Sequence, residues 1–308
     1  MAGEPALAVL VMAYGGPSNI AEVEPYLNDV RGGRPTTPQL VEEIRARYAR
    51  IGGRSPILEL TRAQAAGIGR ALGTSFRVYV GMRHWHPYIK ETVAEIRGAG
   101  HRRVIGVVMA PHYSSMSVGA YEKKLLEATQ SGDTPVETAL VRNWWENPHF
   151  VETIAERVRQ ALQRFPRRRD VQVVFTAHSL PERIREAGDP YPDELAASAA
   201  AVANRVGLAD WLFAYQSAGA TGDKWLGPDV GDVMTAVARR GTTGVVLVPI
   251  GFVCDHVEIL YDIDVEAQAL AKRLGVQLER TASLNDDPGL VAAVADVVRN
   301  AAAERGWL

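Results

Sequence analysis

Three kinds of side chain in this sequence are placed where chemistry could happen: a histidine after an apolar run, a spaced row of carboxylates, and arginines in glycine-rich loops. His178 follows Val171–Thr176 and precedes Ser179-Leu180-Pro181. A histidine at the end of a strand can be a general base or a metal ligand, or a structural ring bonded to a loop carbonyl. Glu258, Asp262 and Glu266 are spaced i, i+4, i+8, which on a helix stacks three carboxylates along one face. No Lys or Arg lies within Asp255–Glu266 to neutralise them. Such a ladder is either a solvated acidic face or, beside a strand end, a path for protons or a divalent cation. Oxygen ligands with one histidine suit Fe²⁺, Mg²⁺ or Mn²⁺ as well as zinc. Arg31-Gly-Gly-Arg34 and Ile51-Gly-Gly-Arg-Ser55 offer arginine and backbone donors. Arginine forks match carboxylates, although either loop could simply be surface.

Other chemistries are excluded by what is missing. There is one cysteine, Cys254, so no internal disulfide, four-cysteine zinc site or all-cysteine iron–sulfur cluster can form. Its acidic neighbours would raise its pKa, and no Gly-x-Ser-x-Gly elbow is present, which argues against thiol or serine hydrolysis. Neither a dinucleotide fingerprint nor a GxxxxGK[ST] phosphate loop occurs. Lys plus Arg number 34 against 36 Asp plus Glu, a net charge of −2 that does not suit a duplex nucleic-acid binder. Residues 1–10 lack the basic segment and cleavage site of a secretory signal. The longest apolar runs, such as Val245–Val253, fall well short of the roughly twenty residues of a membrane span. A reducing cytoplasm is the expected location.

The elements that must position these groups are legible as an alternation. Leu7–Met12, Phe76–Val80, Val104–Met109 and Val136–Val141 read as buried strands, separated by helical stretches. Val171–Thr176, Trp211–Tyr215, Gly244–Ile250 and Leu278–Ala282 repeat the pattern, with Asp193–Val206, Asp229–Ala238 and Ile259–Leu274 as helices. Asn147-Pro148 and Asp287-Pro288 each open an Ala/Val-rich helix. The expectation is α/β: two similar Rossmann-like lobes, 1–166 and 167–308, each a four-stranded parallel sheet flanked by helices, with the last helix able to pack on the first lobe. Ligands of open parallel sheets bind beyond the carboxyl ends of the strands. The loops to read are therefore Ala13–Gly16, Gly81–His86, Ala110–Ser114, Ala177–Ser179, Gln216–Gly219 and Asp255–Glu258, which hold five of the seven histidines.

Taken together those loops resemble the ferrochelatase family. The carrying segments are VLVMAYGGP (9–17), YARIGGRSPILELTRAQ (48–64), GMRHWHP (81–87), APHYSSMSVGAY (110–121), FTAHSLPERIREAGDPYP (175–192), AYQSAGATGDKWLGPDV (214–230) and VPIGFVCDHVEILYDIDVEA (248–267). They occur in the family's order over almost the whole chain.

The resemblance implies a porphyrin held in a cleft between the lobes and insertion of Fe²⁺ into the ring. It assigns His178 and Glu258 as the metal-facing catalytic pair and Tyr14 to the opposite face. It makes Asp262 and Glu266 an acidic path leading from Glu258. Arg31, Arg47, Ser55 and Tyr121 match positions that hold propionates in the coproporphyrin-using members, and Arg34 lies in the same loop as Arg31. Coproporphyrin III is the preferred substrate on this reading, ahead of protoporphyrin IX. A chelatase of the same fold inserting cobalt or another metal is a rival, as is a non-catalytic two-lobed binding protein. The expected partners are the porphyrin and Fe²⁺, with transient contacts to neighbouring enzymes of heme synthesis and neither nucleic acid nor stable membrane association. No tightly bound cofactor and no iron–sulfur cluster are expected.

Overall fold

The computed structural model describes residues 6–131, 134–219 and 222–308. Met1–Pro5 and Ala220–Thr221, which carry part of the leader and motif readings, lie outside them.

All eight expected strands form. The chain runs β1 (Leu7–Ala13), α1 (Val23–Val30), α2 (Pro38–Arg50), α3 (Ile57–Leu72), β2 (Phe76–Met82), α4 (Ile89–Gly98), β3 (Arg103–Val108), α5 (Val118–Gln130) and β4 (Glu137–Val141). It continues through α6 (Pro148–Leu162), β5 (Val171–His178), α7 (Arg183–Glu186), α8 (Tyr191–Val206), β6 (Leu212–Gln216), α9 (Val230–Arg239) and β7 (Gly244–Val248). After β7 come α10 (Val257–Leu260), a π-helix (Asp262–Ala267), α11 (Gln268–Leu274), β8 (Gln277–Arg280) and α12 (Pro288–Glu304).

One sheet has the order β2-β1-β3-β4 and the other β6-β5-β7-β8, with every pairing parallel. Every residue of β1 and of β7 is buried. That is why these runs read as continuous apolar stretches: helices cover both faces of a parallel sheet. In each sheet the chain leaves a central strand to one side and returns to the other. The reversal creates a crevice at the carboxyl ends of β1 and β3, and of β5 and β7, which is where such sheets bind ligands.

Local signals start the helices as expected. Thr37, Asn147, Asp229 and Asp287 each accept a backbone N–H in the first turn of α2, α6, α9 and α12. The division between halves differs from the expected 166/167. One unit comprises Met1–Trp144 with Asn285–Leu308, the other Trp145–Leu284. The physical reason lies in α6, whose apolar face buries Phe150, Ile154, Ala155, Val158, Ala161 and Leu162 in the second unit. There Arg159 of α6 donates to the Arg205 carbonyl at the end of α8 (2.8 Å), and Arg205 pairs with Glu152. In the first unit α12 lies hard against α3: a Cβ on Gly67 would meet Val291 at 2.7 Å. Among the described residues no helix is long and apolar enough to cross a membrane.

Candidate active site

In the second unit the crevice between β5 and β7 gathers His178 and Glu258. His178 is the last residue of β5. The loop leaving β7 folds back over that strand end because Gly251 has no side chain: a Cβ there would lie 2.6 Å from Ala177 Cβ, and Gly251 N–H donates to Thr176 O at 3.2 Å. The loop then delivers Glu258 in α10, where Glu258 Oε2 lies 3.1 Å from His178 Nδ1. The contact is an ion pair by distance but lies off the line of a hydrogen bond. Both side chains are about a third exposed, so a ligand can reach them.

Desolvation alone would hold the His178 ring neutral. The Glu258 carboxylate, with Asp262 behind it, more than offsets that and raises its pKa above the ordinary histidine value. Two further contacts hold the residue, one on its backbone and one on its ring. Tyr191 donates its hydroxyl to the His178 carbonyl at 3.0 Å, and Trp225 stands edge-on with ring centroids 6.5 Å apart.

Several residues with work to do here carry no role from the sequence. Gln216 is 1% exposed; it accepts from Thr176 Oγ1 and donates to the Glu258 carbonyl, both at 2.8 Å. One buried amide therefore ties the end of β5 to the carboxylate helix. Its neighbour Ser217, in the left-handed region at φ 59°, hydrogen-bonds Asp262. Both sit in a strand-end loop that geometry had marked, yet an amide and a hydroxyl announce nothing until their partners arrive. His256 Nε2 lies 4.0 Å from the same Glu258 oxygen, with its pKa lowered by burial. A second, neutral imidazole thus faces the pair.

The acidic row does not lie on one α-helix. Ile259–Leu274, expected as a single helix, is α10, the π-helix and α11. Glu266 N–H bonds Tyr261 O at 3.0 Å in the i→i+5 pattern of a π turn. Asp262 is half-buried on Ser217, whereas Glu266 is exposed. Among the described residues no group of three or more His, Cys, Asp or Glu side chains is arranged to hold a metal ion. The paired ligands offered are therefore His178 and Glu258.

The first unit holds the remaining predicted residues. Tyr14 follows β1 and is 38% exposed, with its ring 4.7 Å from that of His84. His84 Nδ1 lies 2.8 Å from Asp29 Oδ2, and burial brings its pKa down to about 4. Among the described residues the Arg31 side chain bonds only the Pro35 carbonyl, at 3.5 Å, and Arg34 bonds the Arg31 carbonyl at 3.0 Å. Arg47 is held 2.8 Å from Glu43 on its own helix. Ser55 abuts Gly16 so closely that a Cβ there would fall 2.6 Å from Ser55 Oγ. Tyr121 is 4% exposed and belongs to the core. Arg83, given no role by the sequence, lies over both tyrosines, 5.8 Å from the Tyr14 ring and 5.3 Å from that of Tyr121. Among the described residues its guanidinium makes one hydrogen bond, a 3.4 Å contact to Met116 O, and pairs with no carboxylate.

The ferrochelatase family profile matches residues 6–302. The chain belongs to the ferrochelatase family. A ferrochelatase of Herpetosiphon aurantiacus is 48% identical over 297 residues, covering 94% of this chain and 97% of its own. The coproporphyrin III ferrochelatase of Geobacillus kaustophilus is 37% identical over 307 residues, covering 97% of this chain and 96% of its own. In fold the chain is like the sirohydrochlorin chelatase SirB of Bacillus subtilis subspecies spizizenii, solved with cobalt. That match has a TM-score of 0.62 at 12% identity and covers 97% and 96% of the two chains. Two four-stranded parallel sheets flanked by helices are the fold that this likeness shows.

Proposed function

We propose that this ferrochelatase-family chain inserts Fe²⁺ into a porphyrin bearing several carboxylates, coproporphyrin III in preference to protoporphyrin IX. The observation that carries the reaction is the partly exposed His178–Glu258 pair at a sheet switch point. Insertion exchanges two pyrrole protons for one metal ion, so a base must stand at the ring nitrogens. Neutral His178 takes a pyrrole proton, and the imidazolium so formed is stabilised by Glu258 3.1 Å away. Asp262, and beyond it exposed Glu266, continue the carboxylate row toward solvent and give protons a way out or iron a way in. Tyr14 and the imidazole and carboxylate groups are suitable ligands for Fe²⁺ as it sheds water. No resident cofactor is needed. Cys254 is buried, which with neighbouring Asp255 pushes its thiol up to about 12, and a thiol in that state is a poor cluster ligand.

The preference for coproporphyrin III rests on carboxylate partners. Among the described residues neither Arg31 nor Arg83 has a carboxylate partner; Arg47, Ser55 and Tyr121 complete with Arg31 the set that the family resemblance marks, and Arg34 lies in the same loop. Charge-assisted hydrogen bonds to carboxylates are worth about 1.5–3 kcal/mol each. A site furnished for four propionates discriminates against a ring carrying two. The name of the Geobacillus kaustophilus relative agrees with this choice, while that of the Herpetosiphon aurantiacus relative specifies no porphyrin.

The test is anaerobic metal insertion followed by porphyrin absorbance, with both porphyrins and with Fe²⁺ and Co²⁺ side by side. The expected result is the highest kcat/KM for Fe²⁺ with coproporphyrin III. A preference for protoporphyrin IX would overturn the substrate choice. A preference for Co²⁺ would overturn the metal, and porphyrin binding without insertion would leave a binding protein.

A further inference from the structure

A π turn is rare and is found mostly at functional sites, and the one over Asp262–Ala267 is gripped from outside the segment. The side chain gripped is that of Asp264, midway between Asp262 and Glu266 in sequence. Arg280, the last residue of β8, grips Asp264 with both arms of its fork: Nε to Oδ1 at 2.7 Å and Nη2 to Oδ2 at 2.8 Å. Its third nitrogen donates to Thr281 O at 3.1 Å and Ser283 Oγ at 3.2 Å, and lies 3.5 Å from Asp255 Oδ1. Ser283 in turn donates to Asp255 at 2.6 Å. The Arg280 side chain is only 15% exposed.

This network joins three pieces: the strand end, the loop just before α10, and the middle of the π turn. Strand β8 is itself anchored through its pairing with β7, where Arg280 stands opposite Leu247. A bidentate Arg–carboxylate pair fixes orientation as well as distance. It also engages both carboxylate oxygens of Asp264. We infer that Arg280 is a positioning residue: by clamping Asp264 from outside the π turn, it sets where Asp262 and Glu266 stand relative to His178 and Glu258, and so governs metal delivery without touching the metal.

The inference rests on the iron-insertion reading, and its test separates the two. Arg280→Met and Asp264→Asn each break the fork, and Arg280→Lys keeps the charge but loses the two-armed grip. Partners that orient ligands from behind typically cost 10–100-fold in metal affinity or activity when removed. KM for Fe²⁺ should rise about tenfold or more in Arg280→Met and Asp264→Asn, with KM for porphyrin within about twofold of the parent. Arg280→Lys should lie between. Hydrogen exchange should quicken at the amides of residues 262–268 in both fork-breaking variants while the rest of the chain is unchanged. An unaltered KM for Fe²⁺ with unaltered exchange would overturn the clamp. So would equal rises in both KM values with general loss of protection, which mark a purely structural role. Absence of insertion in the parent enzyme would instead overturn the reaction, and the exchange data would still decide the clamp.

Discussion

Glu258 Oε2 lies 3.1 Å from His178 Nδ1 and 4.0 Å from His256 Nε2, so one carboxylate serves two imidazoles whose pKa values move in opposite directions. The one nearer the carboxylate is raised and the other lowered. A pH dependence follows. His178 can accept a pyrrole proton only when neutral, so the acidic limb of kcat against pH should lie above the ordinary histidine value of 6.5. Glu258→Gln removes the charge that raises the ring and leaves the desolvation that lowers it. The limb should shift to lower pH as kcat falls at least about 100-fold, within the usual range for losing acid–base assistance. A limb that stays in place would show that another group sets it.

The acidic row predicts a metal-specific defect. Asp262→Ala should raise KM for Fe²⁺ more than it alters KM for porphyrin, and Glu266→Ala should do so less, because Glu266 is already exposed. Steady-state kinetics with each substrate varied in turn decides it. Normal kinetics in both variants and in the double variant would make the row a solvated face.

Arg83 is predicted to read substrate carboxylates. Arg83→Gln should raise KM for coproporphyrin III about tenfold, the equivalent of about 1.4 kcal/mol, with kcat little changed. A contact remote from the ring nitrogens is alike in ground and transition states. Arg47→Leu should act in the same direction but more weakly, since Glu43 already holds that guanidinium. Equal KM values for parent and Arg83→Gln would remove Arg83 from the site.

Stability should weaken toward acid through His84. Its folded pKa of about 4 lies below its ordinary 6.5, so in that interval the unfolded chain binds the proton and the folded chain does not. Stability therefore falls as pH drops from about 6.5 toward 4. His178 works in the opposite sense: its contribution is present below 6.5 and is lost as pH rises through its raised folded value. Thermal melts across pH 4–7 should show a flatter acid decline for His84→Asn than for the parent. Parallel curves would contradict the assignment.

The strands were legible because a strand buried on both faces leaves an unbroken apolar run, as β1 and β7 do. The caps at Asn147 and Asp287 were legible because a polar residue followed by proline opens an apolar helix. The membership of α6 was not, since its cap tells where it starts but not which sheet receives Phe150 and Val158. Helix α1 was also missed, being short and carrying Pro25. The π turn was hidden because a one-residue change in hydrogen-bond register is imposed from outside, in part by Arg280. His178 and Glu258 could be singled out because strand ends are few and titratable groups there stand out. Gln216 and Arg83 could not, because their tasks depend on Glu258 and on the Tyr14 and Tyr121 rings, all remote in sequence.

The central claim is that His178 carries the proton step of metal insertion. It is tested most directly by measuring, for parent and His178→Ala, both the Kd for coproporphyrin III and the single-turnover rate of anaerobic Fe²⁺ insertion. The account predicts a Kd within about threefold of the parent and an insertion rate down at least about 100-fold. A folded His178→Ala enzyme that inserts iron at the parent rate would contradict it.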